Sequence, residues 1–130
     1  MSVSPNDLLR LAKDLLSPAA AEVLIRNVVS RAYYAAYHSA KTFHDALPQL
    51  GKLPAKPTGI HDELAHRLCW PNIPESDSRF QRSREIGREL RWLHSERIKA
   101  DYRLDMTVTR DSALEVMERT EQLIAKAISP

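Results

Sequence analysis

The sequence predicts an all-α protein, an antiparallel bundle of four to five helices that forms one domain over residues 1–130. Apolar residues recur at intervals of three and four along most of the chain. Prolines and capping side chains mark the boundaries between these periodic segments. The β-favouring stretch at residues 106–109 is too short and too isolated to build a sheet.

The first helix is predicted to begin at Ser4 and Pro5, because Ser is a good helix cap and Pro suits the first helical position. Ser17 and Pro18 close this helix and start the second in the same way. The apolar residues between them recur at helical spacing: Leu8, Leu11, Ala12 and Leu15.

The second helix is predicted to run from Pro18 to Ala46 and to be unusually apolar. One stripe contains Ile25, Val29, Ala32, Ala36, Ala40 and Phe43. A second set widens it: Leu24, Val28, Tyr33 and Tyr37. This helix is therefore either central in the bundle, or its spare apolar surface contacts a partner.

The rest of the chain divides at its prolines. Residues 47–57 contain three prolines and one glycine and predict a loop, and a short helix follows from Thr58 to Trp70. After the break at residues 71–74, a fourth helix is predicted from Ser76 to Ala100, with Ile86, Leu90 and Leu93 inside.

The last helix is predicted after a connector at residues 102–109. Thr109 or Asp111 provides its cap. Its apolar face is predicted to contain Leu114, Met117, Ile124 and Ile128.

Composition excludes several classes of function. The net charge is +2, which is too even to argue for nucleic-acid binding by itself, and the three glycines form no phosphate-binding loop. Cys69 is the single cysteine, so neither a disulfide within the chain nor a Cys/His metal site is expected. Without a signal-peptide pattern or an apolar run of about 20 residues, we expect a cytoplasmic protein with no membrane partner and no cofactor.

Arg97 is the clearest anomaly. At 100° per residue it falls on the line of Ile86, Leu90 and Leu93, so a guanidinium occupies a position where the apolar stripe should continue. Because arginine does not lose its charge, it needs partners or a water-filled cleft. Asp101 and His94 lie on neighbouring positions of the same helix, and Tyr102 follows where the helix should end. The set predicts either a ligand or catalytic pocket, or a buried structural ion pair.

Arg31, Tyr34 and His38 share a second stripe of the second helix, away from its main core stripe. They form either a partly exposed face or a second wall for the pocket around Arg97. His61 and His66 lie in the short helix, five residues apart, so they do not share a face and form no HExxH-type metal site. A surface position is the default interpretation for both.

Arg84, Arg88 and Arg91 share a stripe of the fourth helix. Interleaved glutamates (Glu85, Glu89 and Glu96) favour a solvated charged face. The alternative is a phosphate-contacting strip for RNA, which Lys52 and Lys56 could extend.

Two stretches resemble a known family. Residues 30–40, SRAYYAAYHSA, resemble the second-helix signature of short stand-alone prokaryotic HEPN proteins. Residues 97–102, RIKADY, resemble the RxxADY signature of the same branch, and Gly59-Ile60-His61 lies where that branch often carries a histidine. The resemblance covers residues 18–128 and implies a four- to five-helix bundle, frequent homodimerisation and a site facing the dimer cleft.

Many HEPN proteins are ribonuclease toxins that pair with a nucleotidyltransferase-type antitoxin. Their signature is an Arg followed, after four to six residues, by a His, and the pair promotes attack by the RNA 2′-hydroxyl. By the resemblance, the arginine of this signature corresponds to Arg97, but Asp101 or Tyr102 occupies the position where the histidine is expected. Arg88 and His94 have the right spacing, but they face directions about 240° apart on a continuous helix. If the chain cleaves RNA, His94 or His61 must supply the imidazole and Arg97 must stabilise the charged intermediate.

Three hypotheses follow, in order of preference. The first is a HEPN-type RNA- or nucleotide-binding module of a toxin–antitoxin or defence system, with Arg97, Asp101, Tyr102, His38 and Arg31 at its site. The second is a metal-independent ribonuclease that uses the same pocket. The third is a non-catalytic dimerisation or protein-interaction module in which the Arg–Asp–Tyr cluster is structural.

Overall fold

A computed structural model describes residues 3–16 and 21–129, and within these ranges the chain contains five α-helices and no β-strand. The helices are α1 (Pro5–Leu15), α2 (Glu22–Asp45), α3 (Ile60–Cys69), α4 (Ser78–Tyr102) and α5 (Arg110–Ile128). The predicted all-α class is therefore confirmed. No helix in the described part of the chain is both long enough and apolar enough to cross a bilayer.

Polar caps begin three of the helices. The Ser4 hydroxyl accepts from the Asp7 backbone N–H at 3.2 Å, and the Asp7 carboxylate accepts from the Ser4 N–H at 3.0 Å. This reciprocal pair satisfies two N–H groups that a helix start leaves without partners. Asp77 caps α4, and Thr109 caps α5 as predicted. The predicted second start at Ser17 and Pro18 lies outside the described residues, and α2 as described begins at Glu22.

Helix α2 is central, because it packs against α1, α4 and α5 as well as touching α3. All six residues of its predicted stripe are buried, and Tyr33 on the widened side is fully buried. The three predicted inner residues of α4, Ile86, Leu90 and Leu93, are also fully buried. Burial of a long apolar helix on several sides explains why its sequence shows little amphipathic contrast.

Two predicted apolar faces are wrong in part. In α5, Leu114 and Ile128 are exposed, at 38% and 73%, whereas Met117 and Ile124 are buried. In α1, Leu11 is exposed and Leu9 is buried instead. The inner face of α5 is set by its packing on α2 and α4. It also contains four buried residues that the predicted face left out: Ala113, Val116, Thr120 and Leu123.

Helix α4 runs antiparallel to both α2 and α3. The start of α2 meets the end of α4, where Arg26 contacts the carbonyl of Ala100, and Tyr34 lies farther along beside Arg97. Helix α3 lies close to α4 because Gly87 has no side chain, and a Cβ there would be 2.8 Å from the Cys69 nitrogen. The start of α3, the middle of α2 and the second half of α4 therefore meet in one place.

Candidate functional site

Arg97 lies at this junction with two direct polar partners. Its Nε donates to Asp101 Oδ2 at 2.7 Å, and its Nη2 donates to the Tyr34 hydroxyl at 3.2 Å. The guanidinium carbon also lies 5.4–5.9 Å from the ring centroids of Tyr33, Tyr34 and Tyr102. The Arg97 side chain is 12% exposed, so the charge sits among aromatic rings with one edge open to solvent.

Asp101 joins α4 to α2. Its Oδ2 accepts from Arg97 and also from the Ser30 hydroxyl, at 3.1 Å. The carboxylate therefore fixes the direction of the guanidinium, because two donors on different helices hold the same oxygen. A guanidinium has five N–H donors, and only two are used by Asp101 and Tyr34. The remaining donors can meet an anion.

Two imidazoles, His61 from α3 and His94 from α4, stack beside the arginine. Their ring centroids are 5.2 Å apart with an interplanar angle of 17°. The Tyr33 ring lies 5.4 Å from each of them, and the Tyr37 ring lies 4.7 Å from His61. We call Tyr33, Tyr34, His61, His94 and Arg97 the His–Tyr–Arg cluster.

The surroundings of the histidines disfavour their charged forms. Burial lowers the pKa of His61, and the neighbouring His94 and Arg97 lower it further. Burial lowers the pKa of His94, and the positive charge of Arg97 lowers it further. The Asp62 carboxylate raises it by a smaller amount. Because the two rings stack, protonation of one opposes protonation of the other. Double protonation of the pair is therefore disfavoured.

Tyr33 anchors the pair from the core. Its hydroxyl and His61 Nδ1 are hydrogen-bonded at 2.7 Å. Burial raises the pKa of the Tyr33 phenol far above its ordinary value, so this group stays protonated at every physiological pH. The bond occupies Nδ1 and leaves Nε2 of His61 as the nitrogen available for proton exchange.

The structure brings together most of the residues that the sequence singled out. Arg97, His94, Asp101, Tyr34 and His61 lie within this one region. His61 does not take the surface position expected by default, because α3 directs it against Tyr33 and His94.

Three of the predicted site residues lie farther out. Tyr102 is 64% exposed and touches the cluster only through its ring above Arg97. His38 is exposed, beside the rings of Tyr34 and Tyr37. Arg31 is exposed and has no hydrogen bond or ion pair among residues 3–16 and 21–129, so it does not form a wall of the Arg97 site.

Sequence reasoning missed Tyr33, Tyr37 and Ser30 as members of the site. Tyr33 and Tyr37 were counted with the apolar stripe of α2. A tyrosine on a stripe that is otherwise aliphatic and alanine-rich is itself a signal, because a buried phenol needs a hydrogen-bond partner. That partner is His61, and the distance in sequence between residues 33 and 61 conceals it.

The arrangement places two imidazoles, which can transfer protons, next to a guanidinium that has unused donors. Two imidazoles with lowered pKa values supply a base and an acid, and a guanidinium held by a carboxylate supplies positive charge. Within the described part of the chain, no three His, Cys, Asp or Glu side chains are grouped so that they could hold a metal ion.

The fold and this site define a class: an all-helical bundle with an imidazole pair and a tethered guanidinium at the meeting point of three helices. The chain was compared with protein-family models, with curated proteins and with solved structures, and none of the three comparisons gave a match.

Proposed function

We propose that the protein is an endoribonuclease of the HEPN type that cleaves RNA through attack of the ribose 2′-hydroxyl. The observation that carries the proposal is the stacked pair of His61 and His94 beside Arg97. Few structural roles require two half-buried imidazoles and a guanidinium within one cluster. General acid–base catalysis with charge stabilisation requires all three.

The proposed reaction uses the imidazole pair for proton transfer. One neutral imidazole takes the proton of the 2′-hydroxyl while the 2′ oxygen forms a bond to the adjacent phosphorus. The P–O5′ bond breaks, and the other imidazole, which begins protonated, gives its proton to the leaving 5′ oxygen. The products are a 2′,3′-cyclic phosphate and a 5′-hydroxyl. The pair gains one proton and loses one proton, so it ends with the same charge.

Arg97 is proposed to stabilise the negative charge that develops on the phosphorane-like intermediate. Its Nε and one Nη2 donor are occupied by Asp101 and Tyr34, which hold the guanidinium plane in place. The free donors then face the phosphate without a large reorganisation. Tyr34 is 38% exposed and Tyr102 is 64% exposed, so the cluster opens to the surface on this side.

The HEPN resemblance supplies the wider proposal. It implies a homodimer whose cleft carries the site, a nucleotidyltransferase-type antitoxin as partner, and a role in a cytoplasmic toxin–antitoxin or defence system. A HEPN module that only binds RNA or a nucleotide is the weaker form of the same proposal. The histidine pair favours the stronger form, because binding alone does not require two neighbouring imidazoles that can take and give protons.

The second candidate function is a non-catalytic dimerisation or protein-interaction module. It is favoured by the bridge from α4 to α2, in which Asp101 is bonded to both Arg97 and Ser30. In this case Arg97 acts only as a structural tie between the two helices.

Arg97→Ala tests the two candidates together. We expect cleavage of single-stranded RNA to fall about 10²- to 10³-fold, because a charge-stabilising donor is removed from the site. Single-stranded DNA, which lacks the 2′-hydroxyl, is the control substrate and should not be cut by either protein. Chemical denaturation measures the folding free energy of the same two proteins. A variant that unfolds, combined with a wild-type protein that cuts no RNA, contradicts the ribonuclease and supports the structural tie.

The pH dependence of cleavage is a second expected result. Each histidine has its pKa lowered from 6.5, so the singly protonated pair is most populated below pH 6.5. At lower pH both rings are protonated and no base remains, and at higher pH no acid remains. We therefore expect a bell-shaped profile of kcat/KM with its maximum on the acidic side of 6.5.

Folding must be followed at each pH in this experiment. Lowered histidine pKa values stabilise the fold above pH 6.5 and lose that contribution as the pH falls through them. Circular dichroism at each pH separates loss of fold from loss of catalysis. A rate that rises steadily through pH 8 would rule out the imidazole pair as the acid and the base.

A further inference from the structure

A second site lies at the other end of the α3–α4 face. A cleft of about 570 Å³ lies between the end of α3, the loops on either side of it and the first half of α4. We call it the basic cleft and define it by Lys52, Trp70, Phe80, Arg84, Arg88 and Arg91. The Glu75 carboxylate also lines it, so four cationic side chains face one anionic one.

The arginines of the basic cleft are not neutralised by the glutamates that alternate with them in the sequence. Those glutamates form ion pairs elsewhere: Glu85 with Lys126, Glu89 with Arg119, and Glu96 with Lys99. Among residues 3–16 and 21–129, no ion pair involves Arg84, Arg88 or Arg91. The expected solvated face is confirmed, since Arg84, Arg88 and Arg91 are all exposed, but the glutamates do not pair with these arginines.

The positive charges also converge on one place. The charges of Arg84, Arg88 and Arg91 each lower the pKa of the half-buried Cys69 thiol. Burial raises that pKa by more, so it stays above its ordinary value. The Arg91 guanidinium lies 3.4 Å from a ring nitrogen of His66, and the Arg84 guanidinium carbon lies 6.0 Å from the Phe80 ring centroid. Such a concentration of guanidinium groups favours a phosphate group as the ligand.

An exposed aromatic surface adjoins the charges. Trp70 ends α3 and is 53% exposed, although an indole is among the side chains that gain most from burial. The backbone carbonyl of Trp70 accepts from the Lys52 N–H at 2.7 Å, which ties the Trp70 segment to the preceding loop. A flat ring on a fixed backbone beside several guanidinium groups can stack a nucleobase while the guanidinium groups contact its phosphates.

We propose that the basic cleft binds the backbone and one base of single-stranded RNA and delivers the strand to the His–Tyr–Arg cluster. This inference rests on the proposed function for the identity of the strand. In it, Trp70 stacks a base, and Arg84, Arg88 and Arg91 contact successive phosphates. None of these residues takes part in proton transfer, so the cleft determines affinity and the cluster determines cleavage.

The two sites lie along the same pair of helices, α3 and α4. Arg84 and Arg97 lie 13 positions apart on the same helix, which is about 20 Å at 1.5 Å per residue. Helix α3 runs antiparallel to α4, with Trp70 at the cleft and His61 at the cluster. A few nucleotides of an extended strand span this distance along the helix axis.

Binding of a short single-stranded 2′-O-methyl RNA, followed by fluorescence anisotropy of an attached dye, tests the proposal without cleavage, because this RNA has no attacking hydroxyl. We expect Trp70→Ala to weaken binding about 5- to 150-fold, the range for loss of one stacked base. Arg88→Gln should reduce the slope of log affinity against log salt concentration by about 0.7, the value for one phosphate contact on a single strand. Arg10→Gln, at an exposed position of α1, is the matched control and should leave both quantities unchanged.

Two further measurements keep the inference separate from the proposed function. AMP is tested as a competitor, and competition by AMP at concentrations equal to those of the RNA would overturn the strand proposal in favour of a free-nucleotide site. Wild-type affinity in both Trp70→Ala and Arg88→Gln would also overturn it, whether or not the protein cuts RNA. Binding that depends on the cleft in a protein that cuts no RNA supports the cleft and refutes the ribonuclease.

Discussion

His94→Gln is expected to reduce RNA cleavage about 10²- to 10⁴-fold, the range for loss of a general acid or base. Glutamine retains a similar size and can still form hydrogen bonds, but it cannot take or give a proton near neutral pH. His94 is only half-buried and stacks on His61 at 5.2 Å, so the change should leave the fold intact. Initial rates on single-stranded RNA at the pH of maximal activity measure the effect.

A neighbouring substitution provides the control for His94→Gln. Ser95 is the next residue on α4, is exposed, and its hydroxyl donates only to the Trp92 carbonyl. Ser95→Ala should retain nearly all of the activity. Binding of 2′-O-methyl RNA should be unchanged in His94→Gln, because proton transfer and strand binding are assigned to different residues. A folded His94→Gln protein that cuts RNA at the wild-type rate would refute the assignment.

Arg26→Met is expected to produce the largest loss of stability, about 3–5 kcal/mol in the free energy of unfolding. Arg26 is buried, and its guanidinium donates to the carbonyls of Lys99 and Ala100 at 3.0 Å, of Arg103 at 3.3 Å, and of Met106. These carbonyls lie at the end of α4 and just beyond it, where a helix leaves its acceptors without partners and its dipole is negative.

Loss of this guanidinium leaves several acceptors unsatisfied at once. Methionine fills a similar volume, so the expected loss measures the polar contacts and not a cavity. Because a domain of this kind is stable by about 5–15 kcal/mol, the loss is a large fraction of the total. Urea denaturation measures it.

Arg31→Met is the matched control for Arg26→Met, since Arg31 lies on the same helix but is exposed. Its effect should stay within about 0.5 kcal/mol. A loss below 1 kcal/mol for Arg26→Met would show that the end of α4 does not depend on this residue. Arg26→Met should also lower the rate of RNA cleavage, because Asp101 and Arg97 lie on the last turns of α4.

Local patterns predicted the helices well. Apolar spacing found all five elements, and the inner residues of α2 and α4 were correct because long helices repeat their inward face many times. The errors are in short or end regions. Tyr102 belongs to α4 and not to the connector, and α3 begins at Ile60 and not at Thr58. The ends of helices depend more on capping groups and on the adjoining loop residues than on apolar periodicity.

The sequence was also able to mark Arg97, because a charge on an apolar line is a local anomaly. It could not mark Arg26, which in the sequence is one charged residue within the apolar α2 segment. The partners of Arg26 are backbone carbonyls about 73–80 positions away, and no side-chain pattern records a free carbonyl. The same limit applied to Tyr33, whose partner His61 is on another helix.

By itself, the sequence determined which residues of α2 and α4 face inward and that α4 carries a guanidinium in its apolar seam, since these properties follow from a period of 3.6 residues. Only the tertiary structure decided which side chains meet. The close packing of α3 on α4 at Gly87 brings His61 to His94. The glutamates Glu85, Glu89 and Glu96 pair with lysines and with Arg119, so the side chains of Arg84, Arg88 and Arg91 line a cleft without an ion pair to any described residue. Both results depend on how separate helices are placed against each other, which no single helix specifies.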